Sequence, residues 1–157
     1  MKLVHLVKLE NLPRTLLICL FLVLTTIVSG AFVAGTNAGL AYNNFPFMGE
    51  NLIPEEIFYM SPTWLNFFEN TSLIHLNHRI LATITSLTIL LSAISCITSK
   101  QTLRSVNQIL LVGIILAIVV QYTLGVLTLV NYVPVSLGIM HQFGGLLNLT
   151  LITLFIS

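Results

Sequence analysis

Glu69-Asn70-Thr71-Ser72-Leu73-Ile74-His75-Leu76-Asn77-His78-Arg79-Ile80 opens an apolar run long enough to cross a bilayer and sets histidines a few positions inside it. Met140-His141-Gln142-Phe143-Gly144-Gly145 repeats the arrangement downstream. Histidine inside a span is costly, so it marks a functional position by default. Reading outward from these two segments decides the fold.

The surrounding chain is that of a membrane protein. Its 157 residues are 56% hydrophobic and 7% charged, and the mean hydropathy is +0.99, beyond the range of soluble domains. Six Lys/Arg against five Asp/Glu give no basic patch for nucleic acid or for an anionic membrane surface. The two cysteines, Cys19 and Cys96, fall inside apolar runs and read as small buried hydrophobes.

Spanning the hydrocarbon core takes roughly 20 residues at about 1.5 Å each. Four runs qualify, 15–34, 73–98, 106–130 and 135–156, and predict an all-α, single-domain, integral membrane four-helix bundle. The first run competes with a signal-peptide reading, since Lys2, Lys8 and Arg14 precede it and Val28-Ser29-Gly30-Ala31 offers small residues for cleavage. Against that, the run continues through Phe32, Val33 and Ala34, and the later spans need it to complete a bundle.

Basic residues set the orientation. Lys2, Lys8 and Arg14 precede the first span, and Lys100 and Arg104 lie between the second and third, which places both termini on the cytoplasmic or matrix side. The connection 35–72 has no Lys or Arg and carries Glu50, Glu55, Glu56 and Glu69, so it is expected outside. It also holds Tyr42, Phe45, Phe47, Phe58, Tyr59, Trp64, Phe67 and Phe68, as a segment at the bilayer interface would. Pro54-Glu55-Glu56 reads as the first turn of a short helix, and Ser61-Pro62 as a second start capped by Ser61. The expectation is a lid of two short interfacial helices; anchoring by aromatics alone is the plainer alternative.

The second and fourth spans run in the same direction. His78 and His141 should then lie at equal depth, roughly 8 to 9 Å below the outer helix ends. Two imidazoles facing across a gap suit axial ligation of a haem iron, or simply hydrogen bonding between helices. Gly144 and Gly145, on the face of His141, leave room for a macrocycle or for close helix packing. Arg79 is expected to meet a haem propionate, to snorkel, or to pair with Glu69. His5, in the inner tail, and His75, near the outer rim, read as facing solvent or headgroups, and Gln121 and Asn148 as interhelical hydrogen-bond partners.

Ordered motifs then carry a resemblance. Gly30-Ala31-Phe32-Val33-Ala34-Gly35-Thr36-Asn37-Ala38-Gly39-Leu40, Tyr42-Asn43-Asn44-Phe45-Pro46-Phe47-Met48, Phe68-Glu69-Asn70 and His78-Arg79-Ile80-Leu81-Ala82 resemble the haem A synthase family. Gln121-Tyr122-Thr123-Leu124-Gly125, Val133-Pro134-Val135-Ser136-Leu137 and His141-Gln142 continue the match in the same order. The resemblance implies an enzyme of two four-helix halves that oxidises a methyl group of haem O to the formyl of haem A. This chain is similar to the second half, which implies a b-type haem between His78 and His141 and, by its two axial ligands, an electron relay.

The substrate haem and a catalytic Glu belong to the other half, so a second polypeptide is the expected partner, with a truncated remnant as the alternative. Whether the chain alone is an enzyme stays open. The membrane is expected to be the bacterial inner or the mitochondrial inner one. Asn37 and Asn77 stand where the family pattern has Asp, and the loop cysteine pair of some members is absent. A small b-type cytochrome subunit of another complex is the alternative function, needing the same histidines but not the loop motifs.

Overall fold

The computed structural model describes residues 12–98 and 105–156. Four long helices dominate it: α1 (Leu12–Gly35), α2 (Thr71–Thr98), α3 (Ser105–Val130) and α4 (Val135–Ile156). All four are long and apolar enough to cross a membrane, and no strand occurs among the described residues. The protein is an all-α integral membrane bundle. Lys2, His5, Lys8, Lys100 and Arg104 lie outside the described residues.

Each helix packs on its chain neighbours, and α4 returns to α1, which closes a four-membered ring. Cross-helix hydrogen bonds set the register. Cys19 meets Ser92, Thr26 meets Thr85 at 2.8 Å, and Ser29 meets His78, so α1 and α2 run antiparallel. Gln121 with His141, and Asn148 with the Ala117 carbonyl, do the same for α3 and α4. The serines and threonines within spans mostly bond the carbonyl one turn back, as Thr83 does to Arg79 and Thr123 to Val119, which satisfies hydroxyls in an apolar surround.

The two ends of the bundle differ. At one, Cys19, Ile89, Ala93, Ile114, Ile152 and Phe155 form a buried apolar core. At the other, the helices bound a cavity of about 670 Å³. Outward side chains such as Phe21, Leu116 and Phe143 are exposed and apolar, as lipid-facing positions require.

The connection between α1 and α2 covers the cavity end and is organised by asparagines. Asn70 caps α2: its Oδ1 accepts from Ser72 N at 3.0 Å and Leu73 N at 3.3 Å, so the helix begins two residues before the apolar run. Its Nδ2 donates to the Glu56 carbonyl at 2.7 Å and to Asn66 Oδ1 at 3.0 Å. Asn66 in turn donates to the Met60 and Thr63 carbonyls. The connection contains three short 3-10 helices, Ala38–Leu40, Glu55–Phe58 and Thr63–Phe67. Two occur near the expected starts, but Pro54 and Pro62 occupy the N-cap positions and Ser61 makes no cap. Ala38–Leu40 has no counterpart among the expected elements; Asn37 starts it in the left-handed region, which Asn tolerates.

Candidate functional site

His78 on α2 and His141 on α4 both line the cavity, their ring centroids 6.5 Å apart and their planes at 88°. The antiparallel register of each helix pair brings them to one level. Neighbouring helices fix each ring in the same way. Ser29 on α1 shares a 2.7 Å hydrogen bond with His78 Nδ1. Gln121 on α3 donates from Nε2 to the His141 carbonyl at 2.9 Å and approaches His141 Nδ1 at 3.2 Å. Nδ1 is thus engaged in both rings, and Nε2 is the nitrogen left for the cavity.

Two glycines make room for these rings. A Cβ on Gly30 would stand 3.1 Å from His78 Cε1, and one on Gly125 would stand 2.9 Å from His141 Cε1. Ser29, Gly30 and Gly125 carried no site expectation, because small residues are ordinary at helix contacts in membranes and nothing in their spacing marks a ring opposite them.

The expected site residues are not all used as anticipated. Gly145 lines the cavity, but Gly144 does not; an added methyl there would collide with Gln121 Oε1, so the notch at Gly144 holds the Gln121 amide. Arg79 lines the cavity and aims its guanidinium at the chain above it. Nη2 donates to the Tyr42 carbonyl at 3.0 Å and the Asn44 carbonyl at 3.1 Å, and Nη1 to the Phe47 carbonyl at 3.0 Å and the Pro46 carbonyl at 3.5 Å. Its Nε donates to His75 Nε2 at 3.1 Å. Neither snorkelling nor a pair with Glu69 describes this arrangement; the fork-shaped donor set straps residues 42–47 over the cavity.

His75 also departs from expectation. It is 3% exposed rather than at a wet rim, because the Arg79 strap and Tyr42 cover it. Gln121 and Asn148 do act across helices, and each leaves one buried oxygen, Oε1 and Oδ1 respectively, with no partner.

Unusual backbone lines one side of the cavity. Asn37, Tyr132 and Val133 all have positive φ and all line the cavity. For β-branched Val133, at φ 54°, this is a strained conformation of the kind that gathers at functional sites. Asn43 joins the two segments by donating to the Gly39 carbonyl at 3.1 Å and the Leu129 carbonyl at 3.0 Å.

Among the described residues no group of three or more His, Cys, Asp or Glu could hold a metal. Two facing imidazoles are too few for a protein-only metal site, but suit a metal whose remaining ligands come from a planar macrocycle. The cavity falls within the roughly 300–1,000 Å³ range of small-molecule and cofactor sites. Fold and site together define a membrane four-helix bundle with a cavity faced by two histidines.

Residues 4–153 match the COX15-CtaA family, described as cytochrome oxidase assembly protein. The chain belongs to that family. It is 48% identical over 129 residues to heme A synthase COX15 of Arabidopsis thaliana, covering 82% of this chain and 28% of that protein. Heme A synthase of Wolbachia sp. subsp. Brugia malayi (strain TRS) is 39% identical over 125 residues, 80% of this chain and 35% of that protein. Heme A synthase COX15 of Homo sapiens is 43% identical over 129 residues, 82% and 31% respectively. The chain thus spans about a third of the length of these relatives. No solved structure matches it significantly.

Proposed function

We propose that this chain is a haem-binding four-helix unit of a haem A synthase, with His78 and His141 as the two axial ligands of a b-type haem. The observation that carries the reading is the ring separation. A metal–imidazole bond of about 2.0 Å on each side, plus roughly 1 Å from nitrogen to ring centre, calls for about 6 Å between centroids. The observed value is 6.5 Å.

A bound haem would supply one-electron redox chemistry. The chain's residues would do the rest. Ser29 and Gln121 would hold the imidazoles by Nδ1 and aim Nε2 inward; Gly30 and Gly125 leave room for the rings, and Gly145 leaves space in the cavity wall. Arg79 also lines the cavity, so its charge would favour an acidic substituent there by its field, although its hydrogen bonds go to loop carbonyls and to His75.

With both histidines holding it, a haem here would have no open position for oxygen or substrate, and this unit would relay electrons rather than host the oxidation. The oxidation of the haem O methyl group to the formyl of haem A then belongs to another four-helix unit of the complete enzyme. Adding haem to the purified chain tests the reading. A low-spin spectrum that is lost in both His78→Ala and His141→Ala supports it, and a folded protein with no such spectrum refutes it. For the role in biosynthesis, the measurement is haem A formation when this chain is co-expressed with the remaining family sequence; none formed would remove the synthase assignment.

A further inference from the structure

The two histidines are held by unlike groups. Ser29 offers a hydroxyl, which can donate or accept and so adapts to either form of the His78 ring. Gln121 offers an amide, whose two ends differ. We infer that Gln121 is the positioning residue for His141: its amide, seated in the notch at Gly144, decides which ring nitrogen carries the proton and so whether Nε2 can bind a metal. This rests on the ligand role proposed for His141.

With Nε2 of Gln121 turned to the ring and the His141 carbonyl, a donor faces Nδ1 and Gln121 Oε1 is buried without a partner. A donor at Nδ1 favours a lone pair there, which puts the ring proton on His141 Nε2. A neutral imidazole that ligates through Nε2 needs the reverse, with the proton on Nδ1 and an acceptor to receive it. Half a turn of the amide brings Oε1 to Nδ1 and supplies that acceptor, while the His141 carbonyl gives up its Gln121 donor. Only this second orientation leaves Nε2 without a proton, so the amide's orientation governs whether Nε2 can bind a metal. Gly144 is required because a methyl there would collide with Oε1 and expel the amide.

An acceptor at Nδ1 makes the imidazole a stronger donor and favours the oxidised metal. The test is the midpoint potential of haem bound to the full chain, for the parent and for Gln121→Glu, Gln121→Leu and Gly144→Ala. The carboxylate should lower the potential. Gln121→Leu, which removes the acceptor, and Gly144→Ala, which displaces the amide, should both raise it, and Gln121→Leu should weaken haem binding by about 10- to 100-fold. Opposite shifts for Gln121→Glu and Gln121→Leu are not produced by loosened packing. Shifts of the same sign, or unchanged potentials in variants that keep the low-spin spectrum, overturn the inference. If Gln121→Glu fails to fold, an unchanged potential in both Gln121→Leu and Gly144→Ala overturns it equally. Absence of low-spin haem in the parent chain instead overturns the ligand role of His141, and with it this inference.

Discussion

At the scale of single residues, the site depends on what is missing opposite each ring as much as on the rings. Gly125 lies so close to His141 that even one methyl must displace the imidazole, and Gly30 is nearly as close to His78. Gly125→Ala should therefore reduce haem binding more than Gly30→Ala, with the helical content of both unchanged. Titration of each variant with haem, alongside circular dichroism, checks that order. The histidines themselves are legible in the sequence, because an imidazole inside an apolar run is conspicuous and helical rise sets its depth. Their holders are not. Ser29 looks like any small residue in a span, and Gln121 could bond to any neighbour until the register of α3 against α4 is known.

At the scale of elements, the connection between α1 and α2 is held from below by one cation and from within by asparagines. Arg79 reaches four carbonyls between Tyr42 and Phe47. Lys, a point charge on a flexible stem, cannot reproduce that fork. Arg79→Lys should make this connection more susceptible to limited proteolysis while leaving the helices intact, as the fragment pattern would show. Asn70→Ala removes the cap of α2 and the tie to Glu56, and should cost about 1–2 kcal/mol in denaturant unfolding. The composition of this segment announces its exposed aromatics, and Phe58, Tyr59 and Trp64 do stand exposed. Two of its three short helices fall near the proline starts that the sequence offers; Ala38–Leu40 is not legible there, since Asn43 bridges its Gly39 carbonyl to that of Leu129, distant in sequence.

At the scale of the whole molecule, the bundle divides into a packed half and an open half. Four apolar runs in the sequence are enough to predict four spans, because bilayer thickness fixes their length. Nothing in those runs reveals that one end is buried core and the other a cavity. That follows from where Ile89, Ile114 and Ile152 meet, compared with where glycines and histidines do. Ile152→Ala should destabilise the bundle by about 2–5 kcal/mol without altering the haem spectrum. Haem at 100 times its dissociation constant should stabilise the parent by about 2.7 kcal/mol, and His141→Ala should abolish that gain. Thermal unfolding with and without haem distinguishes the two halves.

His78 and His141 are proposed to hold one haem between them, and their ring planes stand at 88°. Perpendicular axial planes leave the two iron orbitals that mix with the imidazoles nearly equal in energy, whereas parallel planes split them. Electron paramagnetic resonance of the ferric, haem-loaded chain reads that splitting directly. A low-spin, strongly anisotropic signal is predicted, absent from His78→Ala and His141→Ala. A high-spin signal, or a rhombic low-spin signal typical of parallel planes, would rule out ligation by this pair in perpendicular planes.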